Sequence, residues 1–216
     1  MAFSTNIYDL IACDFSARDE EWEIAFFHAF LQSKLKVLSE TPIAGPDGWP
    51  YLTVEINAEG TEQAPKVLGW LSDKGIGLVV NANKDTPDYV FSYGMVWNFR
   101  ERGQFLTPVD SEVRNENVEL KESAKVLAGP PTEAFLPPYA RLILNSFFND
   151  NGVKDMKILM MSQDKKHYDL CFSLEALGSP KAQEHENILK AISWFLPSHY
   201  SLMLISEKGL PQFSKL

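Results

Sequence analysis

"YVFSYGMVWNF", residues 89–99, is the stretch whose reading decides the fold. Its alternate positions are Tyr89, Phe91, Tyr93, Met95, Trp97 and Phe99. Those between are Val90, Ser92, Gly94, Val96 and Asn98. Alternation of this kind places one set of side chains on one face of a strand. It predicts a strand across the whole stretch, ended by Arg100 to Gly103. Each ring buries roughly 150–250 Å², so at ~25 cal/mol per Å² each contributes several kcal/mol. Left in water, such a column would invite aggregation. Phe91, Tyr93 and Trp97 are therefore expected in a core. Trp97, Phe99 and Arg100 could still present an exposed rim at the far end, beside Asn98. Gly94, on the opposite face, suggests a bulge or a close backbone approach.

Working outward, the pattern predicts alternating helices and strands. Ser16 can cap a first helix, with Asp19, Glu20 and Glu21 in its first turn. Ile24, Phe27, Leu31, Leu35 and Leu38 form one apolar stripe on it, and Trp22, Phe26 and Phe30 a second. The helix is expected to stop before Thr41-Pro42. "GPDGWP", 45–50, is a turn cluster. Tyr51–Ile56 reads as a strand, 61–74 as a helix ended by Lys74-Gly75, and Ile76–Val80 as a strand. Residues 107–121, "TPVDSEVRNENVELK", are polar and read as a linker. Beyond it come a strand at 123–128, a helix after Pro137-Pro138 carrying Leu142, Ile143 and Phe147, and strands at 156–161 and 168–174. A helix at 182–196 and a strand at 201–205 complete the order.

The expected fold is α+β: two small α+β modules, 1–106 and 122–216, with a linker at 107–121. The second has the β-α-β-β-α-β order of ferredoxin-like folds. The first also contains β-α-β-β, and no residue-level repeat links the halves.

Composition narrows the function classes. The chain has 216 residues, 45% hydrophobic and 23% charged, with net charge −9. Those fractions suit a folded chain rather than a disordered one. An acidic surface repels phosphate backbones and argues against nucleic acid. It would suit a basic partner, and equally it keeps a protein soluble. No run of ~18 apolar residues predicts a membrane span. The first residues lack a basic n-region and a long apolar core, and Asp9 and Asp14 interrupt them, so no signal peptide is expected. Cys13 and Cys171 stand far apart, outside any CxxC or Cys/His cluster, so neither a zinc site nor a disulfide framework is expected. A cytoplasmic protein is the reading.

Three segments resemble the SseB (enhanced serine sensitivity) family of bacterial cytoplasmic proteins. "DEEWEIAFFHAFLQSKLKVLSE", 19–40, is similar to its N-terminal helix and the valine strand that follows. "SDKGIGLVVNANKDTPDYVFSY", 72–93, resembles its glycine-leucine-asparagine strand and the ring-bearing strand after it. "GPPTEAFLPPYARLILNSFFNDNGVKDMKILMM", 129–161, resembles the opening of its C-terminal domain. One departure is Val80-Asn81-Ala82-Asn83, where the family tends to place a proline after the asparagine. The resemblance implies two domains, a cytoplasmic setting and a link by name to serine tolerance. It carries no catalytic motif onto these residues.

Reactive constellations are sparse. His28 lies beside the apolar stripe of the first helix and reads as a structural, partly buried histidine. His185 is flanked by Glu184 and Glu186, but adjacent residues on a helix do not face each other. His167 and His199 sit at a turn and a helix end. "ACDFS" and "DLCFS" set each cysteine near aspartate and serine, without a histidine at a telling spacing. No GxxxxGK[ST] or GxGxxG occurs. The reading is a non-catalytic binding or regulatory protein that engages another protein or a small metabolite, with no cofactor, metal or catalytic residue expected. Two alternatives stand: an enzyme with a small-molecule site in the cleft between modules, and an acidic antagonist or chaperone of a basic protein. The binding surface is expected near Trp49, Trp97, Phe99 and Arg100 of the first module and Phe135, Pro137 and Tyr139 of the second. Trp, Tyr and Arg dominate interface energetics.

Overall fold

The computed structural model describes residues 6–108 and 126–216. The fold is α+β, in two compact units, Met1–Phe105 and Leu106–Leu216. From residue 109 on, the expected linker lies outside the described residues, as does the start of the strand expected at 123.

The aromatic stretch is not one strand. It is a three-residue strand, Tyr89–Phe91, followed by a helix, Tyr93–Arg102. Ser92 makes the break: its side chain accepts a hydrogen bond from the Met95 amide, an N-cap. Gly103, at φ 72°, closes the helix with its amide on the Phe99 carbonyl at 2.8 Å. Arg100 and Arg102 sit in the last turn, where the dipole favours cations. Tyr93, Val96 and Trp97 also satisfy helical spacing, so both periods were written in the same letters. Burial of Phe91, Tyr93 and Trp97 holds, at 0, 0 and 1% exposure. The helical turn takes Trp97 out of any exposed rim and buries Gly94 as a helix residue.

In chain order, unit 1 comprises α1 (Ile7–Ile11), a 3-10 turn (Phe15–Ala17), α2 (Glu20–Leu31), β1 (Lys34–Val37), β2 (Ile43–Ala44), β3 (Pro50–Glu55), β4 (Glu62–Gln63), α3 (Ala64–Ser72), β5 (Gly77–Val80), β6 (Tyr89–Phe91) and α4 (Tyr93–Arg102). The cap of α2 is Asp19, which accepts from the Trp22 amide, and not Ser16, which lies in the 3-10 turn. The helix stops at Leu31 rather than running to Leu38. The Ser33 hydroxyl bonds the Ala29 carbonyl, and Lys34–Val37 then alternates as a strand. Of the two stripes, Trp22, Phe26 and Phe30 are buried, whereas Ile24 is 52% exposed.

The sheet order is β4-β1-β3-β5-β6, with β2 sharing the edge of β3 that β1 occupies. β3 and β5 run parallel, joined through α3. Leu52, Val54, Leu78, Val80 and Phe91 point to one face, against α2, α3 and Val96 of α4. Phe26, Phe27, Phe30, Tyr89, Phe91 and Phe105 form a continuous ring cluster there, Phe91 and Phe105 lying 4.6 Å apart. On the other face a Cβ at Gly77 would come within 2.7 Å of the Tyr51 ring and the Phe91 carbonyl, so only glycine fits.

Unit 2 comprises β7 (Leu127–Gly129), α5 (Pro138–Asp150), β8 (Lys157–Ser162), β9 (Asp169–Ser173), α6 (Ala182–Ser193), β10 (Ser201–Ile205) and β11 (Ser214–Lys215). The expected β-α-β-β-α-β order is present. The strand order is β10-β9-β8-β11, with β7 and β11 both on the outer edge of β8. A ferredoxin-like sheet would set β7 between β9 and β10; here β7 pairs with β8, and β9 runs parallel to β10. Ala140, Leu144 and Phe148 are the buried residues of α5, while Leu142 is 69% exposed. Phe213, from a C-terminal segment that sequence reading left without structure, packs on Leu159, Met161 and Cys171.

The two units share an arrangement that their letters hide. Each has a helix, an antiparallel strand pair, a second helix and a strand parallel to its predecessor: α2-β1-β3-α3-β5 and α5-β8-β9-α6-β10.

Candidate functional site

A broad hollow lies in unit 1. It is a cavity of about 930 Å³, open to solvent, between α1, the outer side of α2 and the turn after β3. Local chemistry builds each wall. Asn6 caps α1 by accepting from the Tyr8 amide at 3.0 Å, which sets Ile7 and Tyr8 on one rim. Ala25, His28, Ala29 and Gln32 follow at spacings of three and four along α2. Ile56, Asn57, Ala58 and Gly60 form the facing wall. Gly60 is forced: a Cβ there would meet the Lys34 carbonyl at 2.6 Å. The helix end that opens into the cavity is blunted. Its last carbonyls accept from the Gln32 and Ser33 amides and the Ser33 hydroxyl.

A buried network holds the Ile56 wall. The Asn81 side chain, on a left-handed residue (φ 56°), accepts from the Ile56 amide at 2.8 Å and donates to Asp88 at 2.6 Å. Asp88 is also paired with Arg18 at 2.9 Å and Lys84 at 2.6 Å. Arg18 further donates to the carbonyls of Cys13, Ile11 and Asp88 and lies over the Phe15 and Trp22 rings. Burial alone would raise the Asp88 carboxyl; hydrogen bonds from Lys84, Asn81 and Arg18 outweigh it and hold the group below its usual range.

The lining carries a distinctive charge. The chain has 29 Asp and Glu residues, yet among the described residues none lines the cavity. Among the described lining residues Lys34 supplies the cation and His28 an imidazole. Two carboxylates beside the β3–β4 wall are engaged elsewhere: Glu59 by Lys36 at 2.5 Å, and Glu55 by Asn57 and Asn83. Lys34 has no ion-pair partner among the described residues.

The residues expected to bind lie elsewhere. Trp49 is half-buried in the β2–β3 turn, its amide on Asp47. Trp97 is buried, and Phe99 stacks on Phe105 at 4.9 Å. Arg100 is bound to Asp73 and Ser72. In unit 2, Phe135 stacks on Tyr200 at 4.5 Å, Tyr139 is half-buried in α5, and Pro137 is buried at its N-cap. None of the seven lines the cavity. His28, expected as a partly buried structural residue, is instead exposed on its rim. The signal was its place on α2: with the buried stripe at 22, 26 and 30, position 28 falls on the opposite side.

Three other titratable groups are held by their surroundings. Cys171 is buried and its thiol is pushed up to about 12 by burial, with Asp169 adding to the effect, so it is no thiolate at neutral pH. Burial and a hydrogen bond to Glu23 push the Tyr89 hydroxyl far above its usual range. Asp164 is held low by hydrogen bonds from the His167 and Lys166 amides and the His167 ring, in an exposed turn. Among the described residues no group of three or more His, Cys, Asp or Glu is placed to hold a metal ion, and no helix is long and apolar enough to cross a membrane. No family model, curated protein or solved structure matches this chain.

Proposed function

We propose that the chain is a non-catalytic binding protein of the SseB-like type, and that its unit 1 cavity takes a small metabolite with a carboxylate and an apolar body. One observation carries this reading. In a chain of net charge −9, the described lining of the cavity comprises Lys34, His28, amides, hydroxyls and an apolar floor, and no carboxylate is among it. Coulombic preference there runs toward an anion, while Ile7, Ala25, Ala29 and Ile56 offer apolar contact. The Ser33 hydroxyl in the lining is bonded to the Ala29 carbonyl, and among the described residues no base is paired with it, so binding fits the cavity better than turnover. Regulation by a metabolite accords with the family resemblance, and the cytoplasmic setting belongs to the same proposal.

The test is a thermal-shift panel on the intact chain, using small aliphatic and amino monocarboxylates, L-serine among them, each beside its neutral amide. A ligand at ~100 times its Kd stabilises by about 2.7 kcal/mol. At least one carboxylate should raise Tm by several degrees where its amide does not. Lys34→Glu should abolish the shift, and the ligand should be recovered chemically unchanged. Equal shifts from acids and amides, or a shift that survives Lys34→Glu, would sink the proposal.

A further inference from the structure

We infer that β10 is a self-pairing edge, and that two copies of this chain join through it as an antiparallel ladder about a two-fold axis at Met203. The argument begins with what the other edges look like. Exposed strand edges present unpaired backbone groups, and proteins blunt them with shortness, charge or proline. Here β2, β4 and β11 have two residues each, and β6 and β7 have three. β10 has five, "SLMLI", with no charge, proline or glycine, and all five residues are partly exposed. Among the described strands its one partner is β9.

The backbone polarity of that edge follows from one hydrogen bond. The Ile205 carbonyl accepts from the Leu174 amide, just past β9, so Ile205 turns its backbone groups toward β9. Alternation then turns Met203 and Ser201 the same way, and directs the N–H and C=O of Leu202 and Leu204 outward. A second copy placed antiparallel about Met203 sets Leu202 opposite Leu204 of the other copy, twice. Each of these pairs exchanges two hydrogen bonds, so all four outward donors and acceptors are satisfied. Cross-strand neighbours share a face. Leu202 and Leu204 therefore meet on the face that carries Ile158 and Phe172, and the two Met203 side chains meet on the face of Leu159 and Cys171. Apolar meets apolar on both faces, and the operator closes on itself, which uses up the edge instead of propagating it. That self-complementarity selects a second copy over an unrelated strand. The inference stands apart from the unit 1 cavity.

Sedimentation equilibrium of the intact chain and amide hydrogen exchange test it together. The expected result is a species of twice the 24.4 kDa chain mass, with the Leu202 and Leu204 amides exchanging more slowly as concentration rises through the dimerisation range. Met203→Lys sets two ammonium groups against each other at the axis, and Leu204→Pro deletes one outward N–H without touching a bond to β9. Both should remain single copies with the parent's circular dichroism. A single-copy mass throughout overturns the inference, as does a dimer whose Leu202 and Leu204 amides exchange as in dilute solution. A foreign strand-forming peptide bound to a single-copy chain would also overturn it.

Discussion

Asp88 shows how much one side chain can hold. It is buried between Arg18, Lys84 and Asn81, and through Asn81 it fixes the Ile56 amide at the cavity wall. Its carboxyl is depressed below the ordinary 3.8 in the folded state. The stabilisation it supplies is therefore complete above the unfolded value and disappears as pH falls through the folded one. Asp88→Ala leaves Arg18 buried without its counter-charge, a loss of the kind that costs about 3–5 kcal/mol. The urea midpoint of the variant should lie well below the parent's at pH 7, and the gap should shrink as the pH drops below 4. A gap that stays constant to pH 2 would assign the effect to packing. Phe91 is the apolar counterpart. It touches Phe26, Phe30, Tyr89 and Phe105 at zero exposure, and Phe91→Ala should cost about 3–5 kcal/mol by equilibrium unfolding. A melting point within a degree of the parent would remove it from the core. The burial of Phe91, Tyr93 and Trp97 was legible in the sequence, because three large rings have few stable alternatives. The position of His28 was not, since two apolar stripes read together made the buried face look wider than the one centred on Trp22, Phe26 and Phe30.

Elements were less legible than their contents. Residues 89–99 fit a period of two by letter, and the helix announces itself only through punctuation: Ser92 before it, Arg100 and Arg102 in its last turn, Gly103 after it. Ser92→Ala should therefore cost about 1 kcal/mol, read as a lowered unfolding midpoint, while Ser92→Asp should be close to neutral. Equal losses from both would mean that the hydroxyl does not cap. The same logic explains α2. Its apolar residues continue past Leu31 into β1, and the stop lies in Ser33 bonding back to Ala29, a local competition that periodicity does not register. By contrast the strands expected at 51–56, 76–80, 156–161, 168–174 and 201–205 were readable to within a residue or so, since each is short, β-branched or apolar, and bounded by turn residues. Which strands they pair with was not, because register and order depend on contacts far apart in the chain.

For the whole molecule, the repeated helix–strand–strand–helix–strand order makes each unit a sheet with its own apolar core. Phe91→Ala and Leu144→Ala, one per unit, should then destabilise without coupling, their effects adding within about 0.5 kcal/mol. A coupling well above that in a double-mutant cycle would contradict independent cores. The linker and the binding aromatics were inferred from composition and side-chain type, which say what a surface can do but not where hollows form. The cavity needed α1, α2 and the β3–β4 turn brought together, and its charge became visible only when the lining could be separated from the rest of an acidic chain. The central claim is that this hollow binds a small carboxylate. Two-dimensional amide NMR of the intact, isotope-labelled chain, titrated with the carboxylate that gives the largest thermal shift, tests it most directly. The account predicts saturable shifts at Tyr8, His28, Gln32, Ser33, Lys34, Asn57 and Ala58, absent in Lys34→Glu. Shifts gathered around Trp49, Phe135 or Tyr139 with none at the α2 rim would contradict it.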